Sequence, residues 1–386
     1  MPPIVILLAI AVFAQGTSEF MLAGLLPGIA TDLSVSIPQA GLLTSAFAAG
    51  MVVGAPLMAA LSRRWSPRVA LTGFLLVFIA MHVIGALTDS FTVLFSTRII
   101  AALTNAGFLA VTLSTVSTLV PADRMSRALS VILGGTTLAL IAGVPAGAAA
   151  GALLDWRAAL WGVALISVPA LVAVALWAPN RSASGPAASA ASLRSELRVL
   201  RRRSLQLPLA LGALVNAATF CAFTYLAAIV IEATRLDAGV MPFVLAVFGL
   251  GAFVGVWTAG RFGDRFGSRI VSLGSALLLT GWVTLAVVST QPVALFVLAF
   301  AQGALSFAVG STLIAIALRA ADGAPTMSGS YATASLNVGA AIGPIVGGLA
   351  YATVLGPTGP LVVSAALVLI AIVLAVLGAR FSATPR

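Results

Sequence analysis

The sequence predicts an all-α, polytopic membrane protein with twelve transmembrane helices arranged in two pseudo-symmetric six-helix halves. Three observations support this fold class. The 386 residues are 61% hydrophobic and only 8% charged, whereas soluble domains carry about 25% charged residues. The hydrophobic residues form about twelve runs, each near the roughly 20 apolar residues that a membrane helix requires. Arginines are concentrated in alternate loops between these runs, as the positive-inside rule predicts.

Short polar turns separate the apolar runs, so consecutive spans are predicted to cross the membrane in opposite directions. The predicted spans are 4–27, 40–62, 69–88, 91–118, 128–151, 158–179, 207–231, 240–261, 270–289, 292–318, 326–353 and 358–379. The first span is not expected to be a cleaved signal peptide, because it lacks a basic N-terminal region and contains Glu19.

Loop charges predict that both termini are cytoplasmic. In this orientation 17 of the 20 arginines lie on the cytoplasmic side, and only Arg157 and Arg235 lie outside. One missed span would reverse every later loop and destroy this asymmetry. The net charge of +10 is therefore interpreted as a topological signal. A nucleic-acid partner is not expected, because no basic domain stands outside the apolar segments.

The longest polar stretch predicts the domain organisation: a six-helix half at 1–179, a basic cytoplasmic linker at 180–206 and a second six-helix half at 207–386. Leucines recur at helical spacing between arginines near the end of the linker, which is typical of an amphipathic helix on an anionic membrane surface. A linker whose arginines only enforce topology explains the same residues.

Matching motifs indicate an internal repeat at an offset of about 201 residues. Residues 260–269 read GRFGDRFGSR and residues 59–68 read AALSRRWSPR, so that Arg64 aligns with Arg265 and Arg68 with Arg269. The two halves are therefore predicted to be similar bundles.

Glycines and prolines occupy matching places in the fifth and eleventh spans. Gly143 and Gly147, like Gly343, leave one helix face without side chains, which allows a neighbouring backbone to approach closely. Pro145 and Pro344 each leave a carbonyl one turn earlier without its helical partner and permit a bend. Packing alone explains the glycines, but the matching prolines favour an interface at which helices rock.

These motifs resemble those of the major facilitator superfamily, and specifically its twelve-helix drug:proton antiporter branch. Residues 260–269 match the family's loop motif G-x-x-x-D-R-x-G-x-R, and Arg98 in the fourth span matches the branch's arginine, with Ala102 where glycine is usual. The stretches GTSEFMLAGLLPGIATDL at 16–33, GLLTSAF at 41–47 and NAGFLA at 105–110 resemble those of actinobacterial chloramphenicol exporters.

The resemblance implies a multi-pass exporter in the bacterial inner (cell) membrane that exchanges an amphiphilic drug, chloramphenicol or a related phenicol, for protons. Its partners would be the small-molecule drug, protons and the lipid bilayer, with no cofactor and a monomeric state. Sugar and nucleoside exporters share a similar first span, so efflux of a sugar or nucleoside is the alternative function.

The loop charges of the second half are predicted to gate the conformational change. Asp264 is expected at a neighbouring helix N-terminus, and Arg265 or Arg269 is expected to pair with an acid such as Asp322. These contacts would form in one conformation and break in another.

In the first half, Arg63 occupies the position at which the family motif has aspartate. Asp123 is therefore expected to pair with Arg64 or Arg68. A purely topological role explains the same arginines.

Glu19 and Arg98 are the only charged residues well inside predicted spans. A charge at the bilayer centre costs roughly 2.5–3.5 kcal/mol, so such residues face a cavity or each other. The helical rise places both about 20–22 Å from the inner face, where they can meet. Because a carboxyl's charge depends on burial and on nearby arginines, a change in their separation is predicted to load or release a proton. A static ion pair is the alternative.

The drug site is predicted from polar and aromatic residues in the spans, because drug sites combine apolar surface with a few hydrogen-bonding groups. The candidates are Asn105, Asn216, Phe220, Tyr225 and Gln302. Each is equally consistent with helix packing. His82, near the outer end of the third span, is interpreted as structural.

An enzyme is not expected, because one buried acid and one histidine do not supply a catalytic cluster. The single cysteine, Cys221, gives no hint of a metal site. The chain contains no lysine, which excludes a phosphate-binding P-loop and ATP-driven pumping. A channel would need a ring of equivalent groups, whereas the two halves differ in charge.

Overall fold

The computed structural model describes residues 3–62, 65–120, 125–178, 180, 198–322 and 328–382. Within these ranges the regular elements are all helical and no strand is formed. The chain is therefore an all-α protein. Helices are favoured because a backbone surrounded by lipid must satisfy its own N–H and C=O groups.

The first part of the chain contains eight α-helices among the described residues, and two predicted spans are broken helices. The helices are α1 (Pro3–Phe20), α2 (Leu26–Asp32), α3 (Ile37–Ser62), α4 (Pro67–Leu87), α5 (Phe91–Leu119), α6 (Met125–Leu138), α7 (Val144–Leu153) and α8 (Trp156–Trp177). A 3-10 turn over Met21–Gly24 separates α1 from α2. A π-helical turn over Ala139–Gly143 separates α6 from α7.

Six further α-helices follow in the described part of the chain. They are α9 (Arg203–Thr224), α10 (Leu226–Ala228), α11 (Met241–Val288), α12 (Pro292–Ala320), α13 (Ser328–Tyr351) and α14 (Gly359–Ser382). A π-helical turn over Ile229–Ala233 follows α10. Because α9 begins at Arg203, the predicted linker at 180–206 overlaps its first turn, and linker residues 181–197 lie outside the described ranges.

Eleven helical segments of the described residues are long and apolar enough to cross a membrane. One of them, Ala238–Val288, has 51 residues and contains both the predicted eighth and ninth spans. A helix of this length extends about 75 Å, more than twice the roughly 30 Å of a bilayer core. Its helical geometry breaks at Phe266 (φ −125°, ψ 20°), in the predicted loop between those two spans.

Residues in the predicted turns start the helices that follow them. The Ser66 hydroxyl accepts a hydrogen bond from the Val69 backbone N–H at 3.3 Å, and Pro67 occupies the first turn of α4. The Asp155 carboxylate accepts from the Arg157 N–H at 3.0 Å at the start of α8. Ser and Asp satisfy the free N–H groups of a first turn, and proline is tolerated there because its missing donor is not needed.

The chain divides into two compact units. The first comprises Met1–Pro186 with Ala238–Ala246, and the second comprises Ala187–Asp237 with Val247–Arg386. In the first unit α1 packs against α6 and α8, and in the second unit α9 packs against α13 and α14. The helix that begins each half of the chain therefore packs against at least two other helices of its unit.

Candidate functional site

The first predicted span is interrupted next to its acidic residue. Glu19 is half-buried in the last turn of α1, directly before the 3-10 turn over Met21–Gly24. Pro27 in the first turn of α2 has no backbone N–H, so it cannot donate a helical hydrogen bond to the Ala23 carbonyl. The sequence of this span therefore explains a helix that is interrupted one residue after Glu19.

Arg98 of α5 is enclosed in the first unit, with 1% of its surface exposed. Its Nη1 donates to Ser18 Oγ at 2.9 Å, and its Nη2 donates to the Ser18 carbonyl oxygen at 2.5 Å. The guanidinium carbon lies 4.6 Å from the centroid of the Phe47 ring, a favourable cation–π distance. Its Nε has no hydrogen-bond partner among the described residues. A buried cation on α5 is thus fastened to α1, beside Glu19.

Glu19 and Arg98 lie close together without joining directly. Each group acts electrostatically on the other, yet the ion pairs formed by the described residues are all elsewhere. Arg98 instead uses two of its donors on Ser18, the residue before Glu19. The carboxylate is therefore exposed to the field of an arginine to which it is not hydrogen-bonded.

Ser18 and His82 complete this arrangement, and sequence reasoning did not assign them to the site. Ser18 Oγ lies 2.7 Å from His82 Nε2, and His82 Nδ1 lies 2.7 Å from the Phe78 carbonyl oxygen. Ser18 is fully buried and His82 is 2% exposed. A titratable side chain inside an apolar span was the available signal for His82, whereas no sequence pattern marks Ser18.

Two candidate substrate residues bind the backbone of a neighbouring helix. Asn216 Nδ2 donates to the Leu336 carbonyl at 2.7 Å, and the Tyr225 hydroxyl donates to the Pro344 carbonyl at 2.7 Å. Both bonds join the α9 region to α13. Hydrogen bonds of this kind stabilise helix association in membranes, so in this conformation the polar groups of both residues serve packing.

The other three candidates differ in their surroundings. Gln302 is fully buried and its Nε2 donates to the Leu278 carbonyl at 3.0 Å, while its Oε1 has no partner among the described residues. Asn105 of α5 is 5% exposed and Phe220 of α9 is 7% exposed. Asn105 belongs to the first unit, whereas Phe220 and the remaining candidates belong to the second.

The glycine face of the fifth predicted span packs against the first span, as expected for a face without side chains. The facing pairs are Gly143 with Thr17, Gly147 with Met21 and Gly151 with Leu25. A Cβ atom on Gly143 would overlap the Thr17 hydroxyl, and one on Gly147 would meet Met21 Cβ at 3.4 Å. The close approach of the two spans therefore depends on Gly143 and Gly151, whose Cβ atoms would overlap Thr17 and Leu25, whereas Gly147 has room for one.

The second unit repeats this contact between α13 and α9. The facing pairs are Gly339 with Ala213, Gly343 with Ala217 and Gly347 with Cys221. Each glycine and each facing residue lies 196 positions after its first-half counterpart (339 minus 143 and 213 minus 17). The internal repeat that motifs indicated at about 201 residues is thus 196 residues at this helix pair.

The two matching prolines lie in different local structures. Pro145 is in the first turn of α7, immediately after the π-helical turn over Ala139–Gly143. Pro344 lies within the continuous helix α13, where its own carbonyl accepts the Tyr225 hydroxyl. A π-helical turn rearranges the backbone and so relieves the loss of a helical hydrogen bond at a proline. The irregularity predicted at the two prolines is therefore seen in the fifth span, before Pro145, whereas α13 stays helical at Pro344.

Of the charged residues predicted to gate the first half, Arg68 lies among the described residues. Arg68 Nε donates to the Ala178 carbonyl at 2.7 Å, and its Nη2 donates to the Leu176 carbonyl at 3.1 Å. These acceptors lie at the C-terminal end of α8, where backbone carbonyls lack helical partners and attract cations. Arg64 and Asp123 lie outside the described residues, and so does the pair predicted between Asp123 and an arginine.

Asp264 of the second half pairs with an arginine at a helix C-terminus. Its Oδ1 accepts from Arg319 Nη1 at 3.1 Å, and Arg319 lies in the last turn of α12. The side chains of Asp264 and Arg319 are 94% and 55% exposed, so the contact can break at little cost. Asp264 was expected to lie at a helix N-terminus, but in this structure it forms an ion pair with Arg319.

Arg265 and Arg269 do not pair with Asp322 in this conformation. Their guanidinium carbons lie 5.2 and 5.9 Å from the centroid of the Phe266 ring, at the break in α11. The Asp322 backbone carbonyl accepts a hydrogen bond from Arg202 at 2.8 Å. Both guanidinium groups therefore lie near the Phe266 ring, and neither forms one of the ion pairs of the described residues.

Comparison with known proteins identifies the class of this chain. The sequence model of the Major Facilitator Superfamily matches residues 8–241 and 209–385, which together cover nearly the whole sequence. The chain therefore belongs to the Major Facilitator Superfamily, and it is a multi-pass membrane transporter of a small molecule.

Two relatives show which kinds of transporter the chain is similar to. The chain is 52% identical over 375 residues, 97% of its length and 96% of the relative's, to a chloramphenicol resistance protein of Streptomyces lividans. It is 30% identical over 373 residues, 97% of its length and 95% of the relative's, to the inner membrane transport protein YdhP of Escherichia coli (strain K12).

Among solved structures, a bacterial homolog to the human lysosomal transporter Spinster, in an inward-facing and unoccupied conformation, superposes with a TM-score of 0.79. It is 16% identical in sequence, and the match covers 98% of each chain. This likeness shows the fold.

Proposed function

We propose that this protein exports an amphiphilic drug, chloramphenicol or a related phenicol, across the bacterial cell membrane in exchange for protons, and so confers antibiotic resistance. The observation that carries the substrate class is the 52% identity over 97% of the chain to the Streptomyces lividans chloramphenicol resistance protein. Membership of the Major Facilitator Superfamily supports transport rather than catalysis.

The proposed topology has twelve crossings, cytoplasmic termini, halves at 1–179 and 207–386, and a cytoplasmic linker at 180–206. Two observations support it. The 51 residues of Ala238–Val288 exceed one crossing and break at Phe266. The alternation of arginine-rich loops holds only if this segment crosses twice. We propose that one chain suffices for transport, because a single chain supplies both packed units.

In the proposed coupling step, Glu19 carries the exchanged proton and Arg98 is the cation whose distance from it changes between conformations. A proton from outside binds the Glu19 carboxylate and neutralises it, which removes its attraction to the guanidinium. When the site faces the cytoplasm, a closer approach of Arg98 favours the carboxylate and the proton leaves. The partly buried Glu19 side chain and its electrostatic link to buried Arg98 support this assignment.

The remaining site residues have two proposed roles. Asn105 and Phe220 are proposed to contact the drug, and so are Asn216, Tyr225 and Gln302 once their packing bonds exchange. The residues proposed for conformational gating are Arg64, Arg68, Asp123, Gly143, Pro145, Gly147, Asp264, Arg265, Arg269, Gly343 and Pro344. The closely packed glycine faces and the exposed Asp264–Arg319 pair support sliding and latching.

Expression in a drug-sensitive bacterium lacking its own pumps tests this function. The cells are challenged with phenicols, dyes, sugars and nucleosides, with and without a protonophore. We expect protection against phenicols that is lost when the proton gradient collapses. Tolerance of sugars or nucleosides alone would favour the alternative substrate.

Purified protein in liposomes tests the coupling residue. Glu19→Gln is expected to abolish uphill export driven by a pH gradient while leaving downhill drug movement. Asp89→Asn, an exposed acid of the same unit, is the control and is expected to export as wild type. Wild-type uphill export by Glu19→Gln would exclude Glu19 as the proton carrier.

A further inference from the structure

The hydrogen bonds around Ser18 have a single consistent direction. The Phe78 carbonyl only accepts, so the proton of His82 lies on Nδ1, and Nε2 is left as an acceptor. Arg98 Nη1 only donates, so Ser18 Oγ accepts from it. The one hydroxyl proton of Ser18 therefore points to His82 Nε2. Donation runs from Arg98 to Ser18 and on to His82.

This direction requires a neutral His82. A second proton on Nε2 would remove the acceptor for the Ser18 hydroxyl and place a second cation next to Arg98. Both side chains are at most 2% exposed, and like charges repel strongly where water is excluded. His82 is thus an acceptor that orients Ser18.

Among the described residues of the packed helices, no other titratable side chain acts on this network, Arg68 in the first turn of α4 included. The charged and titratable groups acting in this network are Glu19 from α1, His82 from α4 and Arg98 from α5. Helices α6 and α8, which also pack against α1, carry in their described stretches only Arg127 and Arg157, each in a first turn. Helices α3 and α7 carry no ionisable side chain.

We propose that His82 and Ser18 are positioning residues that hold the Arg98 guanidinium beside Glu19 but out of direct contact with it. His82 fixes the Ser18 hydroxyl so that its lone pairs face Arg98, while the Ser18 carbonyl binds the second guanidinium nitrogen. The Glu19 carboxyl consequently remains free to take up and release a proton. The inference rests on the proposed role of Glu19 in proton coupling, and it assigns a task to a histidine that the coupling step does not use.

The proposal predicts how the network fails. Without the Ser18 hydroxyl, or without its orientation by His82, Nη1 of Arg98 loses its acceptor. Glu19 is the acid that acts on Arg98, so the guanidinium is expected to move into contact with it. Contact with a cation favours the carboxylate, so half-protonation of Glu19 is expected at a pH lower by about one unit.

Infrared spectroscopy of the purified full-length protein tests this without a drug. The carboxyl band that disappears in Glu19→Gln is titrated against pH in wild type and in three variants. Ser18→Ala and His82→Leu are expected to lower the midpoint by about one pH unit. His82→Gln, whose amide oxygen can accept from Ser18, is expected to restore it. Ser167→Ala is the matched control, because Ser167 is a fully buried serine of the same unit whose hydroxyl, among the described residues, donates to the Val163 carbonyl of its own helix.

The outcomes separate this inference from the proposed function. An unchanged or raised midpoint in folded Ser18→Ala and His82→Leu protein would overturn the positioning role while leaving drug export intact. The absence of a Glu19-dependent band would overturn both the coupling step and the inference. A lowered midpoint in a protein that exports no phenicol would support the inference and contradict the proposed substrate.

Discussion

The two halves of this transporter pack the helix that begins each half in the same way, but different side chains surround that helix. In each unit a glycine face, on the Ala139–Leu153 segment or on α13, meets the helix that begins that half, at positions 196 residues apart. The first-half contact lies beside Glu19, Arg98 and His82. In the second half, Tyr225 instead donates to the Pro344 carbonyl.

This difference shows that the glycine packing of the two halves does not depend on the charged side chains that lie beside it in the first half. Further neutral bonds join the second-half helices, from Ser364 Oγ to the Ala218 carbonyl at 2.7 Å and from Cys221 to the Pro360 carbonyl at 3.2 Å. A neutral hydrogen bond keeps its strength over the physiological pH range, whereas a buried carboxylate beside a cation responds to protons. The proposed coupling step accordingly places the response to pH in the first half.

The largest expected effect comes from changing the cation of the first half. Arg98→Lys keeps the charge but loses the planar fork that reaches both Ser18 Oγ and the Ser18 carbonyl. A hydrogen bond to a charged group contributes about 1.5–3 kcal/mol, so gradient-driven export is expected to fall at least about tenfold. Arg157→Lys, an arginine with several hydrogen bonds in the same unit, is the control in liposome export. Equal export by both variants would show that the cation's geometry is unimportant.

The glycine faces offer a matched pair of substitutions at equivalent positions. Gly343→Ala would drive its Cβ into the Ala217 backbone carbonyl, whereas Gly147→Ala would meet Met21 Cβ at 3.4 Å, an ordinary contact. We expect Gly343→Ala to lower the free energy of unfolding by about 1–3 kcal/mol through overpacking. Gly147→Ala is expected to be neutral or stabilising by up to about 1 kcal/mol, since alanine favours a helix more than glycine. Unfolding midpoints in detergent measure both, and equal losses would contradict the difference in packing.

A smaller effect is expected from the neutral bond of the second half. Tyr225→Phe removes the hydroxyl that binds the Pro344 carbonyl in a fully buried site, at a cost of about 0.5–1.5 kcal/mol. Tyr351→Phe, whose hydroxyl donates to Glu232 at 2.6 Å in an exposed place, is expected to cost less. The pH dependence of export should be unchanged in both variants. A shifted pH profile in Tyr225→Phe would assign proton chemistry to the second half as well.

The smallest effect concerns an exposed charge cluster of the first unit. Arg157 and Trp156 donate hydrogen bonds to Asp32, and the Arg157 bond in particular holds the pKa of this carboxyl below its usual value. A lowered pKa means that Asp32 stabilises the fold above its unfolded pKa of about 3.9 and loses this contribution as pH falls through the folded value.

Asp32→Asn is therefore expected to lower stability at pH 7 by less than about 1 kcal/mol, because the Asp32 side chain is 45% exposed. The difference from wild type should vanish in acid below the folded pKa. Thermal unfolding of the two proteins at pH 7, 5 and 3 measures this convergence. A difference that grows as pH falls would mean that the sign of the effect is wrong.

The sequence predicted the helical class and a membrane protein with many spans, and it singled out Glu19 and Arg98 as the charges inside those spans. These features follow from local quantities: run length, arginine distribution and the cost of a charge in lipid. Gly143, Gly147 and Gly343 were predicted to lie at close helix contacts, because a helix face without side chains lets a neighbouring backbone approach. The loop composition at 262–269 predicted an interruption between the eighth and ninth spans, but not that the interruption is confined to Phe266 within 51 otherwise helical residues.

Contacts between distant residues required the tertiary structure. The sequence placed Glu19 and Arg98 at one depth, but depth does not determine which group a guanidinium binds, and here it binds Ser18 rather than the carboxylate. Likewise, Asn216 and Tyr225 qualified as drug ligands by residue type, yet their hydrogen bonds are made to the backbone of α13. The sequence by itself thus determined which residues must be buried in the membrane, because burial is set by composition along each helix. Only the tertiary structure decided their partners, because those lie 64 to 120 positions away in the chain and are chosen by the packing of whole helices.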